Sequence, residues 1–214
     1  MLFLGCNLTS VVTETHSIQV LSTISAIAEQ TRAPGAILGA GIDAAVTGCV
    51  PAITGHAKEL LKNKSVKTRQ AVVALLKDLT AAKPGIMAGE IGALAEGLAF
   101  SLSDKASTSN VKIDTLELIH ALIQNNPAAS FTSSIVVYTT AVIGAVGDSF
   151  YKITSEALLV CTAFISVMRP DPETPLDSDF SAPLQQVFDC VFAKLSARKT
   201  PDESKHHFFS LEPC

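Results

Sequence analysis

Three stretches of this chain carry one pattern at intervals of about forty residues. They are Ser65-Val66-Lys67-Thr68-Arg69-Gln70-Ala71, Asn110-Val111-Lys112-Ile113-Asp114-Thr115-Leu116 and Phe150-Tyr151-Lys152-Ile153-Thr154-Ser155-Glu156-Ala157. In each, a small polar residue lies a few places ahead of an apolar residue, a lysine and an amphipathic run. Aligned on Lys67, Lys112 and Lys152, the periods are 45 and 40 residues. A unit of that length is two or three helices that cannot bury their apolar faces alone and must stack on the next unit. The pattern predicts an all-α fold, an α-solenoid of HEAT/ARM-type helical pairs, whose usual work is to bind another protein along an extended surface.

The apolar spacing resolves the pairs. First helices read Ile91, Leu94, Leu98, Leu102, then Ile135, Tyr138, Val142, Val146, then Leu184, Val187, Val191, Leu195. Second helices read Val72, Leu75, Leu76, Leu79, then Leu116, Ile119, Leu122, Ile123, then Leu158, Cys161, Ile165, Met168. Such spacing places each set on one stripe of a helix. Ile53, Ala57 and Leu60 continue the theme after Pro51, which begins or kinks its helix. Lys83-Pro84-Gly85, Asn125-Asn126-Pro127 and Arg169-Pro170-Asp171-Pro172 are stop signals between pairs. The turns within pairs are short and polar, with Ser65 and Ser149 as N-caps. The expected organisation is a partial repeat and loop over residues 1–43, with a lone helix at about 17–30. Repeats follow at about 44–83, 84–126 and 127–170, then a half repeat at 181–197 and a disordered tail at 198–214. Leu94, Leu98, Leu116, Ile119, Tyr138, Val142, Leu158 and Ile165 are the expected central core.

Composition removes several function classes. A net charge of −4 and the absence of Trp give no basic face or stacking platform, so nucleic acid is not expected as a partner. Cys6, Cys49, Cys161, Cys190 and Cys214 are odd in number and unclustered, which reads as free thiols in a reducing compartment. The apolar runs 135–146 and 157–168 fall short of the ~20 residues that span a bilayer, so no membrane association is expected. Gly39-Ala40-Gly41-Ile42-Asp43-Ala44 fits a dinucleotide fingerprint but lacks the preceding strand that the motif needs. His16, His56, His120, His206 and His207 are scattered, and no nucleophile–base–acid set or phosphate loop can be assembled. The chain is therefore read as non-enzymatic, with no catalytic residue, metal or cofactor.

With these residues laid out, a resemblance is visible. Lys64 to Gln70, Ser101-Leu102-Ser103-Asp104-Lys105 with Ser109 to Asp114, and Gly147-Asp148 with Phe150 to Val160 resemble the middle repeats of the cullin-associated NEDD8-dissociated protein family, also called the TATA-binding-protein-interacting protein family. The resemblance covers roughly residues 45–197, with an echo at Glu29-Gln30-Thr31-Arg32. It implies a HEAT-repeat scaffold that wraps an unneddylated cullin and its RING-box subunit, promotes substrate-receptor exchange and SCF complex assembly, and acts in cytoplasm and nucleus. Members of that family are several times longer, so a fragment is expected, and one with half repeats at both ends is expected to self-associate. A generic HEAT-repeat adaptor for another protein is the alternative.

Two readings of the lysines stand side by side. Lys64, Lys67, Arg69, Lys112 and Lys152 form a candidate protein interface, a line of cations facing an acidic partner. Alternatively Lys67, Lys112 and Lys152 are a structural ladder, each pairing with polar groups of its own or the adjacent turn. Asn63 and Asp148, just ahead of two of them, support the ladder.

Overall fold

The computed structural model describes residues 22–24, 26, 40–169, 173, 176 and 178–197. The tail expected at 198–214 lies outside the described residues, as does most of the lone helix expected at 17–30, of which 22–24 and 26 are helical. The helices are α1 (Ala40–Leu60), α2 (Val66–Ala82), α3 (Ile91–Ser103), α4 (Ser109–Asn125), α5 (Ile135–Val146), α6 (Tyr151–Met168) and α7 (Ser178–Ala197), with a short 3-10 turn at Ala128–Phe131. No strand occurs among the described residues.

The helices form antiparallel pairs α1/α2, α3/α4 and α5/α6, and α7 opens the next unit. First helices stack in one layer, α1 on α3 on α5 on α7, and second helices in another, α2 on α4 on α6. This is the all-α solenoid that the periodicity predicts. Local chemistry sets the ends. Ser65 Oγ accepts the Thr68 amide at 3.3 Å and Thr108 Oγ1 accepts the Val111 amide at 3.4 Å, capping α2 and α4. Helices α2 and α4 end at their stop signals, while Pro170 to Pro172 of the third lie outside the described residues, and Gly85, at φ 80°, turns the chain so that its amide donates to Asn125 O at 2.6 Å. That bond ties the loop after the first pair to the end of the second.

Two local expectations are corrected, and of the two roles open to Pro51 the structure removes one. Pro51 lies inside α1 rather than at its start, on an exposed side, while Val50, Thr54 and Ala57 around it are buried. Packing of that face outweighs the one helix bond that proline removes. Ser149 is not a cap: Phe150 holds that position, and Asp148 Oδ1 accepts the Phe150 amide at 2.9 Å in its place. Finally, the buried stripe of α6 is Ile153, Ala157, Val160, Cys161, Phe164, Val167 and Met168, whereas Leu158 and Ile165 are only half-buried. Apolar residues surround most of that helix, so spacing alone left its rotation ambiguous.

The other six expected core residues, Leu94, Leu98, Leu116, Ile119, Tyr138 and Val142, are fully buried. Tyr138 is the polar member of that core. Its hydroxyl donates to Ile91 O at 2.8 Å, joining α5 to the first turn of α3, and burial pushes the phenol above its ordinary value, so it stays a neutral donor. Phe131 stands edge-on to Tyr138 and Phe164, at centroid distances of 5.9 and 6.3 Å, and fastens the 3-10 turn to α5 and α6.

The two first-layer helices of the first repeats meet at a glycine. A Cβ on Gly97 would lie 2.9 Å from Leu61 Cδ1 and 3.0 Å from Leu61 Cβ, and Leu61 is itself fully buried. Gly144, inside α5, has nothing within 4 Å of the same position. One substitution therefore has opposite signs at the two sites. Gly144→Ala is expected to stabilise by roughly 0.5–1 kcal/mol through helix propensity. Gly97→Ala is expected to destabilise, because overpacking of about 1–3 kcal/mol outweighs that gain. Urea unfolding of the two variants checks both signs.

Candidate functional site

The turns inside the pairs are built alike. Asn63, Asp104 and Asp148 each accept a backbone amide two residues on, from Ser65 at 2.8 Å, Ala106 at 3.1 Å and Phe150 at 2.9 Å. Four residues past each cap stand Arg69, Lys112 and Thr154, whose amides donate to the carbonyls of Ser65, Thr108 and Phe150. Arg69 Nη1 donates to Asp104 Oδ2 at 2.7 Å, and Lys112 Nζ to Asp148 Oδ2 at 2.9 Å. Each cation thus reaches from its own pair to the turn of the following pair. Thr154 closes the series by donating to Asp148 O at 3.0 Å.

Arg69 is the most enclosed of these groups, 1% exposed, with its guanidinium carbon 5.8 Å from the centre of the Phe100 ring. Nη1 also donates to Asn63 O at 3.3 Å, while Nε and Nη2 have no hydrogen-bond partner among the described residues. The carboxylate of Asp104 is therefore what makes the buried charge tolerable. A second strut links the layer of second helices: Lys77 bridges Glu117 and Asp114 between α2 and α4.

The five candidate cations separate on this geometry. Arg69 and Lys112 are rungs of the ladder. Lys64, Lys67 and Lys152 are exposed and make no ion pair among the described residues. Lys67 and Lys152 are the second residues of α2 and α6, whereas Lys112 is the fourth of α4, so the three lysines are not equivalent. Asp104 stands four residues ahead of its cap Thr108, whereas Asn63 and Asp148 stand two ahead of Ser65 and Phe150, and this offset puts Lys112 in the register of Arg69. Sequence reasoning missed Lys105, exposed on the turn before α4, and the exposed pair Phe150 and Tyr151 at the start of α6. The signal was present: an Asn or Asp ahead of the cap, and a cation or threonine four places after it.

Other features of the surface are less specific. An open groove of about 650 Å³ lies between α3 and α5, its only charges being Lys112 and Asp148 at one end. Phe188, Phe192 and Leu195 form an exposed stripe on α7. Helix α6 is long and apolar enough by composition to cross a membrane, yet its buried face is spent on α4, α5 and α7. Cys161 is buried, and burial, with Cys190 nearby, pushes its thiol up to about 12. Among the described residues no three His, Cys, Asp or Glu side chains gather at metal-binding distance.

The ladder carboxylates make stability pH-dependent. The Ala106 amide and then Arg69 hold Asp104 below the ordinary 3.8, and the Phe150 amide and then Lys112 do the same for Asp148. A carboxyl that is more acidic folded than unfolded stabilises the fold fully above its unfolded value and loses that contribution as pH falls through the folded one. Thermal melts are expected to fall steeply as pH drops below about 4. Asp104→Asn with Asp148→Asn is expected to melt lower at neutral pH and to show a flatter acid profile.

Comparison with known proteins matches this architecture. A family model described as CAND1-like, TPR repeats, matches residues 85–210, more than half of the chain. Cullin-associated NEDD8-dissociated protein 1 of Drosophila melanogaster is 37% identical over 158 residues, which is 73% of this chain and 13% of the fly protein. The Dictyostelium discoideum protein of the same name is 35% identical over 156 residues, 73% of this chain and 12% of its own length. Cullin-associated NEDD8-dissociated protein 2 of mouse is 29% identical over 161 residues, 75% of this chain and 13% of the mouse protein. The chain thus spans about an eighth of the length of these relatives. Its equivalent turns, at Asn63, Asp104 and Asp148, recur at the ~40–47-residue period of HEAT-type units rather than the ~34 of TPR units. By its repeats, its stacking and the match over residues 85–210, the chain belongs to the CAND1-like family of helical-repeat proteins.

Proposed function

We propose that this chain is a segment of a non-enzymatic scaffold that binds unneddylated cullin–RING ubiquitin ligases through the cullin and its RING-box subunit. In this reading it contributes to substrate-receptor exchange and SCF complex assembly, and so to regulation of protein ubiquitination, in cytoplasm and nucleus. The observation that carries the reading is the CAND1-like match over residues 85–210, on a solenoid whose pairs are stacked as in a longer array. The relatives are named for cullin association and for dissociation of NEDD8. Extended stacks of this kind act by presenting surface rather than by assembling reactive groups.

Capture of the chain on immobilised cullin–RING-box heterodimer tests this. Unneddylated cullin is expected to retain it, and the neddylated form to retain less. Equal capture by both forms, or capture by neither, contradicts the reading.

A further inference from the structure

One edge of the solenoid has a charge character opposite to that of the chain as a whole. The net charge is −4, yet the edge formed by the turns 61–65, 104–108 and 147–150 displays exposed Lys64, Lys67, Lys105 and Lys152. The ladder shows that these turns are neighbours, since each rung crosses from one to the next at 2.7 and 2.9 Å. Asp104 and Asp148, the carboxylates within those turns, are committed to the ladder and leave the lysines uncompensated; Glu59, in the last turn of α1, is the exposed acid beside them.

The same edge gathers the N-termini of α2, α4 and α6, and none has an acidic residue in its first turn. The positive end of a helix dipole favours carboxylates and disfavours cations. Lys67 and Lys152 therefore sit where stability prefers the opposite sign. Between Lys152 and the last turn stand Phe150 and Tyr151, with ring centroids 5.5 Å apart in an edge-to-face pair, and Tyr151 is 71% exposed. An exposed aromatic pair bordered by charge is the composition of a protein-binding hot spot with its polar rim.

We propose that this edge, with Phe150 and Tyr151 as anchor and Lys64, Lys67, Lys105 and Lys152 as rim, is the face that holds a carboxylate-rich protein surface. The proposal rests on the cullin reading above, and assigns the edge to contact with the cullin–RING-box heterodimer. Helix dipoles and lysines act in the same direction, so association is electrostatically steered and salt-sensitive. A protein is favoured over nucleic acid because the exposed edge carries no arginine and the chain is acidic overall.

The test uses the full chain with unneddylated cullin–RING-box heterodimer, and compares Tyr151→Ala, the triple variant Lys67→Glu/Lys105→Glu/Lys152→Glu, and Phe192→Ala, an equally exposed aromatic on α7. Tyr151→Ala and the triple variant are expected to weaken binding by roughly tenfold or more, and the triple variant to flatten the salt dependence. Its melting temperature is expected to hold or rise, because glutamate suits a helix N-terminus. Phe192→Ala is expected to bind as the unaltered chain does. If the unaltered chain binds and the edge variants bind equally well, the edge is not the face, although the cullin reading stands. No binding by the unaltered chain overturns both. Binding of a single-stranded oligonucleotide that the triple variant abolishes would reassign the edge to nucleic acid and overturn the proposal.

Discussion

A guanidinium that is almost wholly enclosed must have its counter-ion, and in this chain the counter-ion belongs to the next repeat. Arg69 is folded into the start of α2, but the carboxylate that neutralises it is Asp104, in the turn between α3 and α4. Lys112 repeats the arrangement one unit further on with Asp148. Hydrophobic stacking is non-directional and would let neighbouring pairs slide or rotate with modest loss. The ionic rungs supply what it lacks, a fixed distance between successive turns. The order of everything on that edge, including the exposed lysines and the aromatic pair, follows from them.

Below the rungs, a few close contacts set the layer spacing. Gly97 lets α3 approach the end of α1, and Ser101 of α3 donates across the crossing to Leu61 O at 3.4 Å. Tyr138 bonds the start of α3 to the first turn of α5, and Phe131 and Phe164 seal the space around it. The ladder and the core therefore act at different places: one fixes turns along an edge, and the other fixes helices within the two layers. Cations that do neither, such as Lys67 and Lys152, remain on the surface without a structural task.

Much of the fold was legible in the sequence because burial imposes a period. The stripe of α4 is clean, with Lys112, Asp114 and Glu117 off the core, and although α3 and α5 expose Phe100 and Val136 their buried positions keep the helical spacing. On α6 Leu158, Leu159 and Ile165 lie just beside the buried set, so the edge of its stripe could be fixed only by what packs on it. The interface was less legible. Aligning Lys67, Lys112 and Lys152 assumes an equal distance from the polar turn residue to the cap, and the two extra residues between Asp104 and Thr108 break that assumption. Arg69, grouped by sequence with surface cations, is buried because its partner lies 35 residues away. A contact of that kind depends on stacking and leaves no local mark, apart from the recurrence of an acid or amide ahead of each cap.

A double-mutant cycle on the first rung tests most directly whether the ladder binds one repeat to the next. Equilibrium unfolding would be measured for Asp104→Ala, Arg69→Met and the two together. Removing Asp104 leaves a buried cation unpaired, whereas removing Arg69 leaves a carboxylate that can hydrate, so Asp104→Ala is predicted to be the more damaging single change. Adding Arg69→Met to Asp104→Ala is predicted to restore stability, because an apolar side chain of similar length then fills the enclosed site. Losses that simply add, with no recovery in the double variant, would contradict the account.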